Sequence, residues 1–161
     1  DEFSKRAIIN LKHNDSTYLA KTFAGLMYRA FVQARLTCDV ITIVPMYRNK
    51  LLKRMYNQSA LLARYISKMS NIPLDPHTIE KIKNTLPQEG LSSELRMKNL
   101  HGAFIVREKK QPLIQNKSIL LIDDVITTGS TANECAKVLK HAGAKQVRVL
   151  TIAKTIKQNQ R

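Results

Sequence analysis

Only two cysteines, five glycines, five prolines and no tryptophan occur in 161 residues. Cys38 and Cys135 form no Cys-x-x-Cys pair, which excludes a disulfide-built scaffold or a thiolate ribbon within these residues. Each sits in an apolar-periodic segment and reads as a small, reduced core residue of a reducing compartment. His13, His77, His101 and His141 are scattered without ligand spacing, which argues against a transition-metal centre. No apolar run approaches the ~20 residues needed to cross a bilayer, and the start lacks a signal-like apolar region. The expectation is a cytoplasmic chain without membrane insertion. Because the chain opens on Asp1, a processed, truncated or cloned fragment is expected. Acidic residues are also scarce: 12 Asp and Glu face 27 Lys and Arg, giving +15 at pH 7. Polyanions are therefore the expected partners. With no aromatic-interleaved recognition motif, a nucleic-acid surface and a merely solvated basic face both fit this excess.

What is present is one continuous stretch, Ile119-Leu120-Leu121-Ile122-Asp123-Asp124-Val125-Ile126-Thr127-Thr128-Gly129-Ser130-Thr131. An apolar strand runs into two carboxylates and then into a small-residue turn that opens a helix. Thr127, Thr128, Gly129, Ser130 and Thr131 can aim backbone N–H groups and hydroxyls at a phosphate, where a helix N-terminus adds partial positive charge. Gly129 lets the backbone approach closely. Ionised Asp123 and Asp124 only accept hydrogen bonds, which suits the paired hydroxyls of a ribose. The order reads as a ribose 5-phosphate clamp. No Gly-Lys-Ser/Thr follows, so a Walker-type loop does not fit.

Tyr18, Leu19, Phe23, Leu26, Met27, Ala30, Phe31 and Ala34 recur at helical spacing and predict a helix over about 16–36. The β-branched run 39–44 predicts a strand ending at Pro45, followed by the loop Met46-Tyr47-Arg48-Asn49-Lys50 and a helix over about 57–70. Residues 71–100 read as a connecting region. A short strand near 103–106, a strand over 118–122, a helix over 130–142 stopped by Gly143, a strand over 146–153 and a polar tail over 157–161 complete the order. This alternation predicts one α/β domain over 1–161, a mainly parallel sheet flanked by helices with ligands at the carboxyl ends of its strands. The loop after Val44 then shares an edge with Asp123 and Asp124, and Arg48, Lys50, Lys53 and Arg54 supply charge there.

The stretch 119–131 resembles the phosphoribosyl pyrophosphate (PRPP) motif of type I phosphoribosyltransferases. Leu11-Lys12-His13, Val44-Pro45, Arg54-Met55-Tyr56-Asn57-Gln58, Pro87-Gln88-Glu89-Gly90-Leu91-Ser92 with Arg96 and Asn99, and Gly102-Ala103-Phe104 extend the likeness. In that order they make the chain similar to the ComF family along nearly its whole length, with Met55 departing from a family glycine. ComF-type proteins commonly carry an N-terminal zinc ribbon, and this chain begins after where it would sit. The resemblance implies a type I phosphoribosyltransferase-like fold with PRPP and Mg²⁺ as ligands. It places the 5′-phosphate on Thr127 to Thr131 and the pyrophosphate on Met46, Tyr47, Arg48, Asn49 and Lys50. Asp123 and Asp124 would orient the ribose and meet Mg²⁺ through it or through water. A flexible hood over about 83–100 would bring Gln88, Ser92 and Asn99, with Arg96 as the catalytic cation. The implied role is handling of incoming single-stranded DNA in natural transformation, with the DNA-uptake machinery as a partner and phosphoribosyl transfer as the reaction. A nucleotide-salvage phosphoribosyltransferase and a non-catalytic PRPP-sensing, DNA-binding module stay open, as do the acceptor and the oligomeric state.

Overall fold

The computed structural model describes residues 17–48, 51, 56–86 and 92–154. Helix α1 spans Thr17–Gln33, strand β1 Val40–Ile43 and helix α2 Gln58–Ser70. Strand β2 (Ile79–Lys81), helix α3 (Ser93–Leu100) and strand β3 (Phe104–Val106) follow, then the short helix α4 (Gln111–Ile114). Strand β4 (Ser118–Ile126), helix α5 (Ser130–His141) and strand β5 (Gln146–Lys154) close the order.

The main sheet has the order β1-β4-β5, all parallel, with Val40 opposite Ile119 and Ser118 opposite Gln146. A single parallel bridge from Ile41 to Leu74 extends it on the β1 side. Ile119, Leu120, Leu121 and Ile122 of the central strand are all buried, as a parallel strand covered on both faces must be. Side chains alternate along it. Leu120 and Ile122 join Ala20, Ala24, Met27 and Phe31 of α1 and Leu62 and Ile66 of α2 in one cluster. Ile119 and Leu121 join Cys135 and Leu139 of α5, with Ile79, Leu100 and Phe104, in a second. The parallel sheet flanked by helices expected from the sequence is thus present.

Several local expectations need adjustment. On α1 the buried stripe is Ala20, Ala24, Met27 and Phe31, while Leu26 is exposed. The connecting region 71–100 contains β2, which pairs antiparallel with β3, and α3. Strand β4 runs on past Ile122 to Ile126 because β5 continues beside it, pairing Asp123 with Thr151 and Ile126 with Lys154. Gly143 does end α5, with φ of 98°. Its N–H bonds the Lys140 carbonyl and that of Ala144 bonds Leu139, a Schellman closure whose Ala144 and Leu139 are both buried.

Candidate functional site

β1 ends at Ile43 opposite Ile122 of β4, which runs on to Ile126, so the segment after β1 and the last residues of β4 share one edge. Asp123 and Asp124 are the next residues of β4. Asp123 is only 9% exposed, and its Oδ1 accepts the Asp124 N–H at 2.9 Å. Burial, and next the neighbouring Asp124 carboxylate, push its pKa up to about 7, while the Ser59 hydroxyl, donating to it, pulls the other way. Asp124 Oδ1 accepts the Val125 N–H at 2.7 Å, and its carbonyl accepts the Thr151 hydroxyl at 2.7 Å. The pair is therefore fixed against its own backbone and β5.

The turn after β4 delivers Gly129 as the N-cap of α5 in the left-handed region, φ 81°. A Cβ at this position would meet only the Ile126 side chain at 3.9 Å, so the requirement for glycine here is conformational and not a matter of room. As a cap Gly129 gives the first turn no side-chain acceptor, leaving that task to other groups. Thr128 Oγ1 and Ser130 Oγ share a hydrogen bond of 2.9 Å. Asp123, Thr127, Gly129, Ser130 and Thr131 line a small pocket of about 30 Å³, room enough for a water-sized group.

Beside this edge stands the start of α2. Asn57 caps it, accepting the Ser59 N–H at 2.9 Å, and its amide donates to the Val44 carbonyl at 3.3 Å, tying the end of β1 to the helix. Gln58 is 2% exposed, and its Nε2 is buried without a partner among the described residues. The sequence places Asn57 and Gln58 in a family segment that carries no role for either, and Ser59 lies just outside it. Nothing local in the chain marks Ser59, because its approach to Asp123 is made by the sheet.

Met46 and Tyr47 are half-buried after β1, Arg48 is exposed, and Leu51 N–H bonds the Tyr47 carbonyl at 3.0 Å. Arg107, and more weakly Arg48, hold the Glu80 carboxyl below its usual range, so Arg48 lies within electrostatic reach of β2. Asn49, Lys50, Lys53, Arg54, Met55 and Gln88 lie outside the described residues, as do Leu11 to His13 and the tail 157–161. Of the residues expected in a hood, Ser92 caps α3 by accepting the Leu95 N–H at 3.3 Å. Asn99 clamps the Leu86 backbone through both amide atoms at 3.1 Å, and so ties α3 to the segment that follows β2. Arg96 is half-buried on α3; its neighbour Met97 lines, with Ser130, a groove of about 390 Å³ between α3 and α5. The structure thus brings together Asp123, Asp124 and the turn 127–131 at the end of β4, sets Met46 to Arg48 after the adjacent strand, and places α3 alongside α5.

Residues 58–161 match the model of the phosphoribosyl transferase domain. The chain belongs to that family. It is 34% identical over 152 residues to Competence protein F of Haemophilus influenzae, covering 91% of this chain and 66% of the relative. It is 30% identical over 154 residues to the DNA utilization protein YhgH of Escherichia coli K12, covering 92% and 66%. The chain thus spans about two thirds of the length of these curated relatives. The fold of the glutamine PRPP amidotransferase of B. subtilis superposes with a TM-score of 0.54 at 20% identity, over 81% of this chain and 26% of that one. The resemblance to ComF proteins holds, and the phosphoribosyltransferase fold is that expected.

Proposed function

We propose that the chain binds PRPP with Mg²⁺ and transfers or senses its phosphoribosyl group while handling single-stranded DNA in the cytoplasm during DNA uptake. The observation that carries the reading is the juxtaposition of buried Asp123 and half-buried Asp124 with a left-handed Gly129 cap at the end of one central strand. Among the described residues no cluster of three His, Cys, Asp or Glu could hold a metal. The donor set fits Mg²⁺, which takes one or two carboxylates and keeps water and substrate phosphates as its other ligands. Asp123 and Asp124 would hold it through ribose hydroxyls or water. A bound Mg²⁺ would offset charge on a departing diphosphate.

The protein's own part is positional. The turn 127–131 seats the 5′-phosphate on backbone N–H groups, the acid pair accepts from the ribose 2′- and 3′-hydroxyls, and the segment 46–50 meets the diphosphate. The hood, with Arg96, Gln88, Ser92 and Asn99, excludes water from an oxocarbenium-like centre. No protein nucleophile is needed. The names of the two relatives support the DNA-uptake role, and the +15 charge agrees with a polyanionic partner.

Titration calorimetry with PRPP and Mg²⁺ tests the site. Asp124→Ala is expected to weaken Mg²⁺-dependent PRPP binding at least tenfold, about 1.4 kcal/mol, with the circular dichroism unchanged. Equal affinity in the variant would remove the ribose assignment. Pyrophosphate release by the wild type separates a transferase from a module that binds PRPP without turnover.

A further inference from the structure

The amino end of the sheet lies opposite the PRPP edge, and it gathers cations. Lys117 immediately precedes β4 and Lys145 immediately precedes β5, and the Lys145 N–H bonds the Lys117 carbonyl at 2.9 Å. Lys140, from the last turn of α5, donates to the Lys145 carbonyl at 2.8 Å. Arg148 of β5 reaches across to the Thr37 carbonyl at 2.6 Å, which ties the segment following α1, and with it Arg35, to the same end. Arg35, Lys117, Lys140 and Lys145 are all exposed, and none of them forms an ion pair among the described residues. Among the described residues Asp39 is an acid at this end, and its carboxylate already accepts the Ser118 N–H at 2.7 Å, while Glu134 in the groove along α5 is paired with Lys137 at 2.6 Å. From Lys140 and His141 the groove of about 390 Å³ leads along α5 past Ala136 and Met97 to Ser130, at the phosphate-binding turn.

We infer that this amino-terminal edge, continued by the α5 groove, is the track for a single-stranded nucleic acid. The inference rests on the DNA-handling reading above and locates the surface that reading requires. Backbone phosphates meet Arg35, Lys117, Lys140 and Lys145, while the apolar groove wall offers Met97 and Ala136 to unpaired bases. A lipid surface is the poorer fit, because the edge is built from turns and strand starts and presents no amphipathic helix to lie in a bilayer interface. Arg35, Lys117, Lys140, Lys145, Met97 and Ala136 include no aromatic side chain, so contact is through phosphate and is sequence-tolerant.

The test measures affinity for a fluorescent mixed-sequence oligonucleotide across a salt series, using the full chain. Each phosphate contact on a single strand contributes about −0.7 to the slope of log K against log salt, so four contacts predict about −3. Lys117→Ala/Lys140→Ala/Lys145→Ala is expected to leave a slope of about −0.7. Lys117→Ala/Lys145→Ala keeps the bond from Lys140 to the Lys145 carbonyl, and so separates lost charge from a disturbed turn; it should leave about −1.4. PRPP binding should be unchanged in both. A wild-type chain with no oligonucleotide binding at low salt would overturn the DNA-handling reading itself. Wild-type binding with an unaltered slope in both variants would overturn only the location. Loss of binding to phosphatidylserine vesicles in these variants, with oligonucleotide binding intact, would assign the edge to a membrane and overturn the inference.

Discussion

Asp123 shows what one buried carboxyl does to the whole protein. Burial, reinforced by Asp124, lifts its pKa from 3.8 to about 7. Between those values the native state keeps the proton that the unfolded chain gives up, so native stability falls as pH rises through that window and levels off above it. The folded protein therefore carries an electrostatic cost that a cation or a donating hydroxyl at the proposed ribose site would relieve. Asp123→Asn removes the titration. Its stability relative to wild type should improve by about 1–3 kcal/mol between pH 4 and pH 8, read by denaturant unfolding at stepped pH. A pH-independent difference would contradict the burial argument. The carboxyl's position was readable from its place at the end of an apolar run. Its environment was not, because Ser59 arrives from another element and only the fold brings the two together.

At the scale of elements, the start of α2 joins fold to site. Asn57 uses its oxygen to cap the helix and its amide to hold the Val44 carbonyl, so one side chain sets both the helix start and the loop after β1. Asn57→Ala should cost about 1–2 kcal/mol in chemical denaturation. Asn57→Asp should recover the cap but not the bond to Val44, and it places another negative charge near Asp123, so it restores only part of the loss; full recovery would show that the bond to Val44 is inert. Long periodic elements declared themselves: α2, α5 and β5 lie within a residue or so of the pattern-based bounds, and Gly143 stops α5 as its conformation requires. Short ones did not. β2 is three residues, too few to show alternation, and exists because β3 pairs with it. α3 had a usable signal in Ser92-Ser93-Glu94, a capping residue followed by an acid in the first turn, but its apolar pattern is weak, and Leu95 and Met97 remain exposed. The pattern-based strand stops at Ile122, since Asp123 and Asp124 disfavour a strand locally; the ladder to β5 overrides that preference and carries β4 on to Ile126.

Across the whole molecule the sheet acts as a partition. One edge carries Asp123, Asp124 and the turn 127–131, the opposite edge carries cations that form no ion pair among the described residues, and the two faces feed separate apolar clusters. Such a layout lets the site keep an acidic character inside a strongly basic protein, since exposed charges farther apart than about 10 Å are largely screened at moderate salt. It also predicts how core changes combine. Ile122 faces the cluster under α1 and α2, and Ile119 faces the one under α5, although both belong to the same strand. Ile43 is the register partner of Ile122 and shares its cluster. Each Ile→Val replacement should cost about 0.5–1.5 kcal/mol. The pair Ile119→Val and Ile122→Val should be additive within about 0.5 kcal/mol, because the sheet lies between the spaces they open, whereas Ile43→Val with Ile122→Val should depart from additivity by more, because their cavities merge. Double-mutant cycles in urea measure both, and strong coupling across the sheet with none along one face would mean that the two clusters behave as a single core.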